Sequence, residues 1–95
     1  MTVSGNKSAA IVAAAPTTTL VKSGAGLLAR ITFNKPVATG VVTVYDALTA
    51  TGTPIAIITT PASPMPVTLE YGIEFATGLC IVTATAAQDI TVVYQ

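Results

Sequence analysis

Apolar and polar residues alternate along most of the chain, which is the pattern of strands that bury one face. Residues 26–34 show it most clearly. Their predicted core face carries Leu27, Ala29, Ile31 and Phe33, and their other face carries Leu28, Arg30, Thr32 and Asn34. No stretch has the 3.6-residue period of an amphipathic helix of useful length. The chain is therefore predicted to consist almost entirely of strands.

The same pattern, bounded by Gly, Pro, Asn and Asp, predicts the other strands. They cover residues 17–22, 40–46, 54–59, 65–75, 79–85 and 89–94. In residues 40–46, Val42 and Val44 oppose a second set that begins at Val41, and either face could be the inner one. In residues 65–75 the predicted inner face comprises Val67, Leu69, Tyr71, Ile73 and Phe75, and Gly72 predicts a bulge or a sharp bend.

Turn residues predict how these strands are connected. The segment KSGAG at residues 22–26 lacks the spacing of a phosphate-binding loop and is predicted to be a hairpin turn. Residues 79–85 and 89–94 are predicted to form a second hairpin around AAQD. Asp46 and Asp89 are predicted to open turns, because Asp bonds readily to nearby backbone. Three prolines at residues 61–66 remove backbone donors and predict a loop.

Seven or eight short strands with turn signals every 8–12 residues or so indicate an all-β fold, a small β-sandwich or jelly roll of mainly antiparallel strands. We assign the sandwich domain to residues 17–95 and a flexible N-terminal arm to residues 1–16. Within the arm, residues 9–14 are compatible with a strand, or with a segment that becomes ordered only against a neighbour.

Composition changes the picture by showing how little charge the surface carries. Only 8% of the residues are charged, four basic and four acidic, and the net charge is zero. A folded monomer of this size exposes about 5,000 Å². Because so few charges cannot cover that area, we expect much of it to be buried in an oligomer or a larger assembly. The alternative is a monomer covered by threonine hydroxyls.

The same composition argues against several partners and chemistries. Scattered, offset lysines and arginines do not form a nucleic-acid site, and prolines interrupt the one uncharged stretch long enough to span a membrane. Without histidine and with one cysteine, the chain cannot build the usual zinc site or a Cys-His pair. Cys80 is predicted to be a buried thiol. A single cysteine fits folding in a reducing cytoplasm.

Glu70 and Glu74 form the only close carboxylate pair in the sequence. Four residues of regular strand hold them too far apart to act as a paired acid and base. They are predicted to be solvated acids or partners in salt bridges between subunits. We therefore predict no catalytic residue, no cofactor site and no metal site, and a protein that is not an enzyme.

Several motifs together carry a resemblance to a known group of proteins. They are the KSG turn at residues 22–24, VTVYD at 42–46, the G-x-x-I-A strand at 52–56, FATGLCIVT at 75–83 and DITVVY at 89–94. This combination, over residues 17–95, resembles small virion proteins from the structural-gene regions of tailed bacteriophages. The resemblance implies a β-sandwich that decorates or cements a capsid.

That resemblance implies the major capsid protein as partner and a location on the capsid surface of the virion, after synthesis in the host cytoplasm. It carries no catalytic residues. We expect a symmetric homo-oligomer, with a trimer as the favoured number, and an N-terminal arm that orders against a neighbour. The alternative is a fibre or host-surface module that binds glycans, which would require exposed aromatic side chains. The aromatic residues are Phe33, Tyr45, Tyr71, Phe75 and Tyr94.

Overall fold

Eight strands form two four-stranded antiparallel sheets in the computed structural model, which describes residues 6–12, 17–85 and 88–95. The strands are β1 (Lys7–Ile11), β2 (Thr17–Ser23), β3 (Gly26–Lys35), β4 (Val41–Tyr45), β5 (Pro54–Thr59), β6 (Val67–Phe75), β7 (Gly78–Ala84) and β8 (Asp89–Tyr94). We call the sheet with strand order β1-β8-β3-β6 sheet A and the sheet with order β2-β7-β4-β5 sheet B. The all-β sandwich predicted from the sequence is confirmed.

The order of the strands is that of an eight-stranded jelly roll. Every connection except β4–β5 crosses from one sheet to the other. Both predicted hairpins are therefore wrong. The KSGAG turn joins β2 in sheet B to β3 in sheet A, and the segment after β7 leads into sheet A, where β8 lies between β1 and β3. Turn residues indicate a change of direction, but they do not indicate which sheet the next strand will join.

The core lies between the two sheets and is built from the inward-facing residues of their central strands. Its fully buried members include Leu28, Ile31 and Phe33 from β3, Val42 and Val44 from β4, Leu79 and Ile81 from β7, and Ile90 and Val92 from β8. This settles the choice left open for residues 40–46, because Val42 and Val44 are the inner pair. Val41 and the residues that alternate with it face outward.

A bulge in β3 corrects the core face predicted for that strand. Leu28 pairs with Tyr94 and Arg30 pairs with Val93, so Ala29 is an extra residue relative to β8. The extra residue shifts the alternation by one position. As a result Leu28 is fully buried and Leu27 is not, whereas the predicted core set contained Leu27. Ala29, Ile31 and Phe33 are buried as predicted.

The predicted bulge at Gly72 is present in β6. Leu28 pairs with Ile73 and Arg30 pairs with Glu70, so two residues of β6 oppose Ala29 alone. Gly72 has a φ of 65°, which is the left-handed region that glycine adopts at little cost. Because of this bulge, Val67, Leu69 and Ile73 all pair with core residues of β3. Of the predicted inner face, however, only Phe75 is buried, whereas Val67 and Ile73 remain 47% and 37% exposed on this edge strand.

The N-terminal part of the sandwich begins earlier than predicted. Residues 7–11, assigned to the arm over residues 1–16, form β1, which pairs along its whole length with β8. Of the two alternatives for residues 9–14, the described part up to Ile11 is a strand, and Ile11 is buried in the core. Residues 1–5 and 13–16, which complete the predicted arm, lie outside the described residues.

Candidate functional site

The outer face of sheet B contains no charged residue, and we call it the uncharged face. It comprises Thr18, Leu20, Val41, Thr43, Tyr45, Ile57, Thr59, Cys80, Val82 and Ala84. Strand register aligns these residues in rows across the sheet, for example Thr18, Val82, Thr43 and Ile57. The face exists because the outer positions of β4 and β7 carry no charge and are apolar or threonine, as the inner positions are.

Large apolar side chains on this face are open to solvent. Ile57 is 64% exposed and Leu20 is 47% exposed, and they lie on the two edge strands β5 and β2. Between them, Val82 and Thr43 are half-buried. An isolated exposed aliphatic residue needs no explanation, but an uncharged sheet face with exposed isoleucine and leucine at both sides is typical of an interaction surface.

The charged residues of the chain are concentrated in the other sheet. Those in the strands of sheet A are Lys7, Arg30, Lys35, Glu70, Glu74 and Asp89. The remaining two are Lys22 and Asp46. Lys22 is in β2, but it follows the bulge after Leu20, and its Nζ lies beside Gly26 at the start of β3. The unequal distribution separates a charged sheet from an uncharged one.

Polar side chains on the outer face of sheet A bond to one another. Nε of Arg30 donates to Oε1 of Glu70 over 3.1 Å, the hydroxyls of Thr32 and Thr68 are 3.0 Å apart, and Nδ2 of Asn34 donates to the hydroxyl of Thr91 over 2.8 Å. These groups are exposed and are well hydrated without a protein partner. The outer face of sheet A is therefore suited to remain in water.

The size of the uncharged face limits what it can hold by itself. Four strands spaced about 4.8 Å apart, each with about five residues rising 3.3 Å, span about 19 Å by 17 Å, or about 300 Å². Functional patches on monomers begin at about this size. A standard stable interface buries about 800 Å² on each partner. One such face would give weak attachment, and strong attachment would need several copies or additional surface.

The two glutamates considered in the sequence lie in β6 but do not act together. Glu70 forms an ion pair with Arg30 of the same chain, with an N to O distance of 3.1 Å, and its side chain is 68% exposed. Glu74 is exposed and pairs in register with Leu27. The Gly72 bulge separates the two residues. Arg30 thus provides an intramolecular partner for one of the acids.

Asp46 follows β4, as expected for a residue that opens a turn, but its carboxylate bonds to a distant segment. It accepts hydrogen bonds from the backbone N–H groups of Ala76, Thr77 and Gly78 at 2.8 to 3.4 Å. The bonds from Ala76 and then Thr77 are the main reason that the pKa of Asp46 lies below its ordinary value of 3.8. Asp89 does not lie in a turn, because it is the first residue of β8 and pairs with Lys35.

Cys80 is buried, as predicted, with 1% of its surface exposed. It lies on the outer side of β7, and its cross-strand neighbours are Leu20 and Tyr45. Burial raises the pKa of the Cys80 thiol, so the reactive thiolate is disfavoured. In the described residues no group of three or more His, Cys, Asp or Glu side chains could hold a metal ion.

Most of the aromatic side chains belong to the interior. Phe33 and Phe75 are buried in the core, and Tyr71 and Tyr94 pack against it. Tyr45 is the aromatic residue of the uncharged face, where it is half-buried. The neighbouring carboxylate of Asp46 is already bonded to three backbone N–H groups. Tyr45 therefore has no adjacent free carboxylate to combine with ring stacking in sugar recognition.

Comparisons with protein-family models, with curated proteins and with solved structures give no match to this chain. Over the ranges that the structure describes, no helix is long and apolar enough to cross a membrane.

The composition signalled the uncharged face, but not its location. A content of 8% charged residues predicted surface that partners would cover. The location depends on which face of β4 is the inner one and on the presence of β2 and β5 in the same sheet. Neither could be read from local alternation.

Proposed function

We propose that this chain is a non-enzymatic structural protein of a bacteriophage particle, which decorates the capsid by packing its uncharged face against the major capsid protein. The observation that carries this proposal is the contrast between the two outer faces. One has exposed Ile57 and Leu20 and no charge, whereas the other carries bonded polar groups suited to water. A protein that decorates a capsid needs one surface that packs against the capsid and another that stays in contact with water.

The fold supports the proposal as an analogy. Eight-stranded jelly rolls occur among viral capsid domains, and also among lectins and cupins, so the fold is compatible with more than one function. The sequence motifs that resemble small phage virion proteins favour the first of these. The sparse aromatic content of the uncharged face disfavours the glycan-binding alternative, since Tyr45 is its one aromatic residue.

The small area of the face is also compatible with decoration. An attachment site of about 300 Å² holds one copy weakly, but a capsid offers the same site many times, and linked copies bind much more tightly than single ones. Because the face is uncharged, attachment should depend little on salt. Surface ion pairs, by contrast, are strongly screened at about 0.15 M ionic strength.

The test mixes the purified chain with undecorated capsids of the phage that encodes it, and measures co-sedimentation. Thr43→Lys places a charge at the centre of the uncharged face, and Thr32→Lys places the same charge at the centre of the opposite face. We expect wild type and Thr32→Lys to bind, and Thr43→Lys to lose binding. Equal binding by both variants, or binding abolished by about 0.5 M NaCl, would contradict the proposed surface.

A further inference from the structure

The two sheets of the sandwich end in four edge strands, and one of them differs from the rest. Edge strands expose unpaired backbone groups, and proteins protect them with charges, bulges or covering segments. β1 carries Lys7, β2 carries Lys22, and β6 carries Glu70 and Glu74. β5 carries no charged residue. Its proline, Pro54, and its bulge at Ile55 lie at its start, and the regular part that follows exposes Ile57 and Thr59. Residues 56–59 of β5 are thus the edge segment least protected by charge, proline or bulge against pairing with another strand.

The ladder between β4 and β5 shows which backbone groups of β5 are available. The N–H of Thr60 donates to the carbonyl of Gly40 over 2.9 Å. Because antiparallel residues alternate between the two sides, Ile58 and Ala56 also bond towards β4. The N–H and C=O groups of Ile57 and Thr59 therefore point to the free edge. Ile55 is an extra residue opposite β4 and lies outside this regular part.

We propose that β5 pairs antiparallel with β5 of a second copy of this chain, about a two-fold axis that passes beside Ile58. In this register Ile57 of each copy lies opposite Thr59 of the other, and the two residues exchange both backbone bonds. Sheet B then continues through the axis as one eight-stranded sheet. The pairing is isologous, so it closes at two copies and leaves no further β5 edge open.

The side chains around this edge fit a second copy. Next to β5, the sandwich opens into an apolar cleft of about 160 Å³ lined by Phe33, Ile58, Val67 and Leu69 among others. Val67 is 47% exposed there. A second copy would cover this side of the cleft as it approaches. β5 has no charged residue, so no two like charges face each other across the axis. The net charge of each chain is zero, so the two chains do not repel each other overall.

The pairing also resolves the shortage of area on the uncharged face. Two copies joined through β5 place two uncharged faces side by side, which gives about 600 Å² of continuous sheet surface against the 800 Å² or so of a standard interface. This use of the dimer rests on the proposed function. The pairing itself does not, because it depends only on the β5 edge.

The test measures the mass of the full chain in solution by sedimentation equilibrium over a range of concentrations. We expect the wild type to approach twice its 9.5 kDa as the concentration rises. Thr59→Lys gives β5 the charge that the other edges have, at an exposed position, and should remain monomeric. Ile57→Pro removes a donor that faces the free edge and should also remain monomeric. Leu20→Lys, on the opposite edge of sheet B, is the matched control and should still dimerise.

The outcomes separate the pairing from the proposed function. A wild type that stays monomeric at all concentrations, a trimer, or a dimer that persists in Thr59→Lys would each overturn the pairing. If Ile57→Pro fails to fold, as judged by circular dichroism, Thr59→Lys decides the result. A monomeric wild type that still binds capsids would refute the pairing and support the proposed function. A dimeric wild type that does not bind capsids would support the pairing and refute the proposed function.

Discussion

Gln88 provides a direct test of how one end of the sandwich is held together. It lies just before β8 and is 1% exposed. Its Oε1 accepts the backbone N–H of Val37 over 2.9 Å and the hydroxyl of Thr60 over 2.9 Å. Its side chain also packs directly against Gly40. One amide oxygen therefore joins the β3–β4 connection, the end of β5 and the start of β8.

The cost of removing this oxygen depends on whether each of its two donors keeps another hydrogen-bond acceptor. In Gln88→Met the side chain keeps about the same length but can no longer accept these bonds. The hydroxyl of Thr60 still has the carbonyl of Gly40 at 3.1 Å. The N–H of Val37 loses its acceptor, and an unsatisfied backbone donor costs about 1–3 kcal/mol. Part of this cost is offset, because methionine also removes Nε2 of Gln88, which is buried without a hydrogen-bond partner among the described residues. Gln88→Ala adds a cavity, so its total cost should reach about 2–5 kcal/mol.

These costs are large relative to the stability of a small domain, which is about 5–15 kcal/mol. Urea unfolding followed by circular dichroism would measure them. Thr60→Val is the informative partner variant, because Oε1 of Gln88 keeps the N–H of Val37 and the cost should be near 1 kcal/mol. The double variant should lose less stability than the two single losses added together, because both substitutions remove the same Thr60–Gln88 bond. A coupling energy below about 0.5 kcal/mol between Gln88→Met and Thr60→Val would refute the role assigned to this oxygen.

Three further predictions concern the core, the pH dependence and the thiol. Leu28→Ala should lower the free energy of unfolding by about 2–5 kcal/mol, because Leu28 is fully buried, and Leu27→Ala should lower it by much less. Equal losses of stability for the two variants in urea unfolding would contradict the bulge in β3. The folded state holds the pKa of Asp46 below 3.8, mainly through the hydrogen bond from the N–H of Ala76. The ionised carboxylate therefore stabilises the fold fully at pH values above the pKa of the unfolded chain, and this stabilisation is lost as the pH falls through the pKa of the folded state. Wild type should therefore lose stability from about pH 4 downwards more steeply than Asp46→Asn does, and parallel urea midpoints would argue against this bond. Cys80 should react with a thiol reagent at pH 8 only slowly until urea unfolds the chain, and rapid reaction of the native protein would show that the thiol is not buried.

Local pattern predicted the strands well because alternation and turn residues are local signals. The bounds of β5 and β8 agree with the structure, and the bulge at Gly72 was expected from a glycine within an alternating strand. Leu27 was assigned to the core wrongly, because the extra residue Ala29 leaves no mark on the alternation. An alanine fits either face of a strand, so the shift is visible only in the pairing with β8.

The hairpins failed for a different reason. A turn signal such as KSG reports that the chain reverses, but the choice between the same sheet and the facing sheet depends on how all eight strands fill the core. The uncharged face depends on the same choice. Leu20 and Ile57 are far apart in sequence and share a face only because β2 and β5 belong to sheet B. Composition predicted that such a surface was needed, and topology determined where it formed.

The position of β8 affects how the sandwich forms during protein synthesis. β8 is the last of the eight strands to be translated, yet it lies between β1 and β3 in sheet A. Until it has been translated, β1 has no neighbouring strand, and the first residues of the domain must wait for the last strand. Folds in which most strand pairs are far apart in sequence fold slowly. The nascent chain therefore exposes its future core until β8 has been translated, and a chaperone would be most useful before that point.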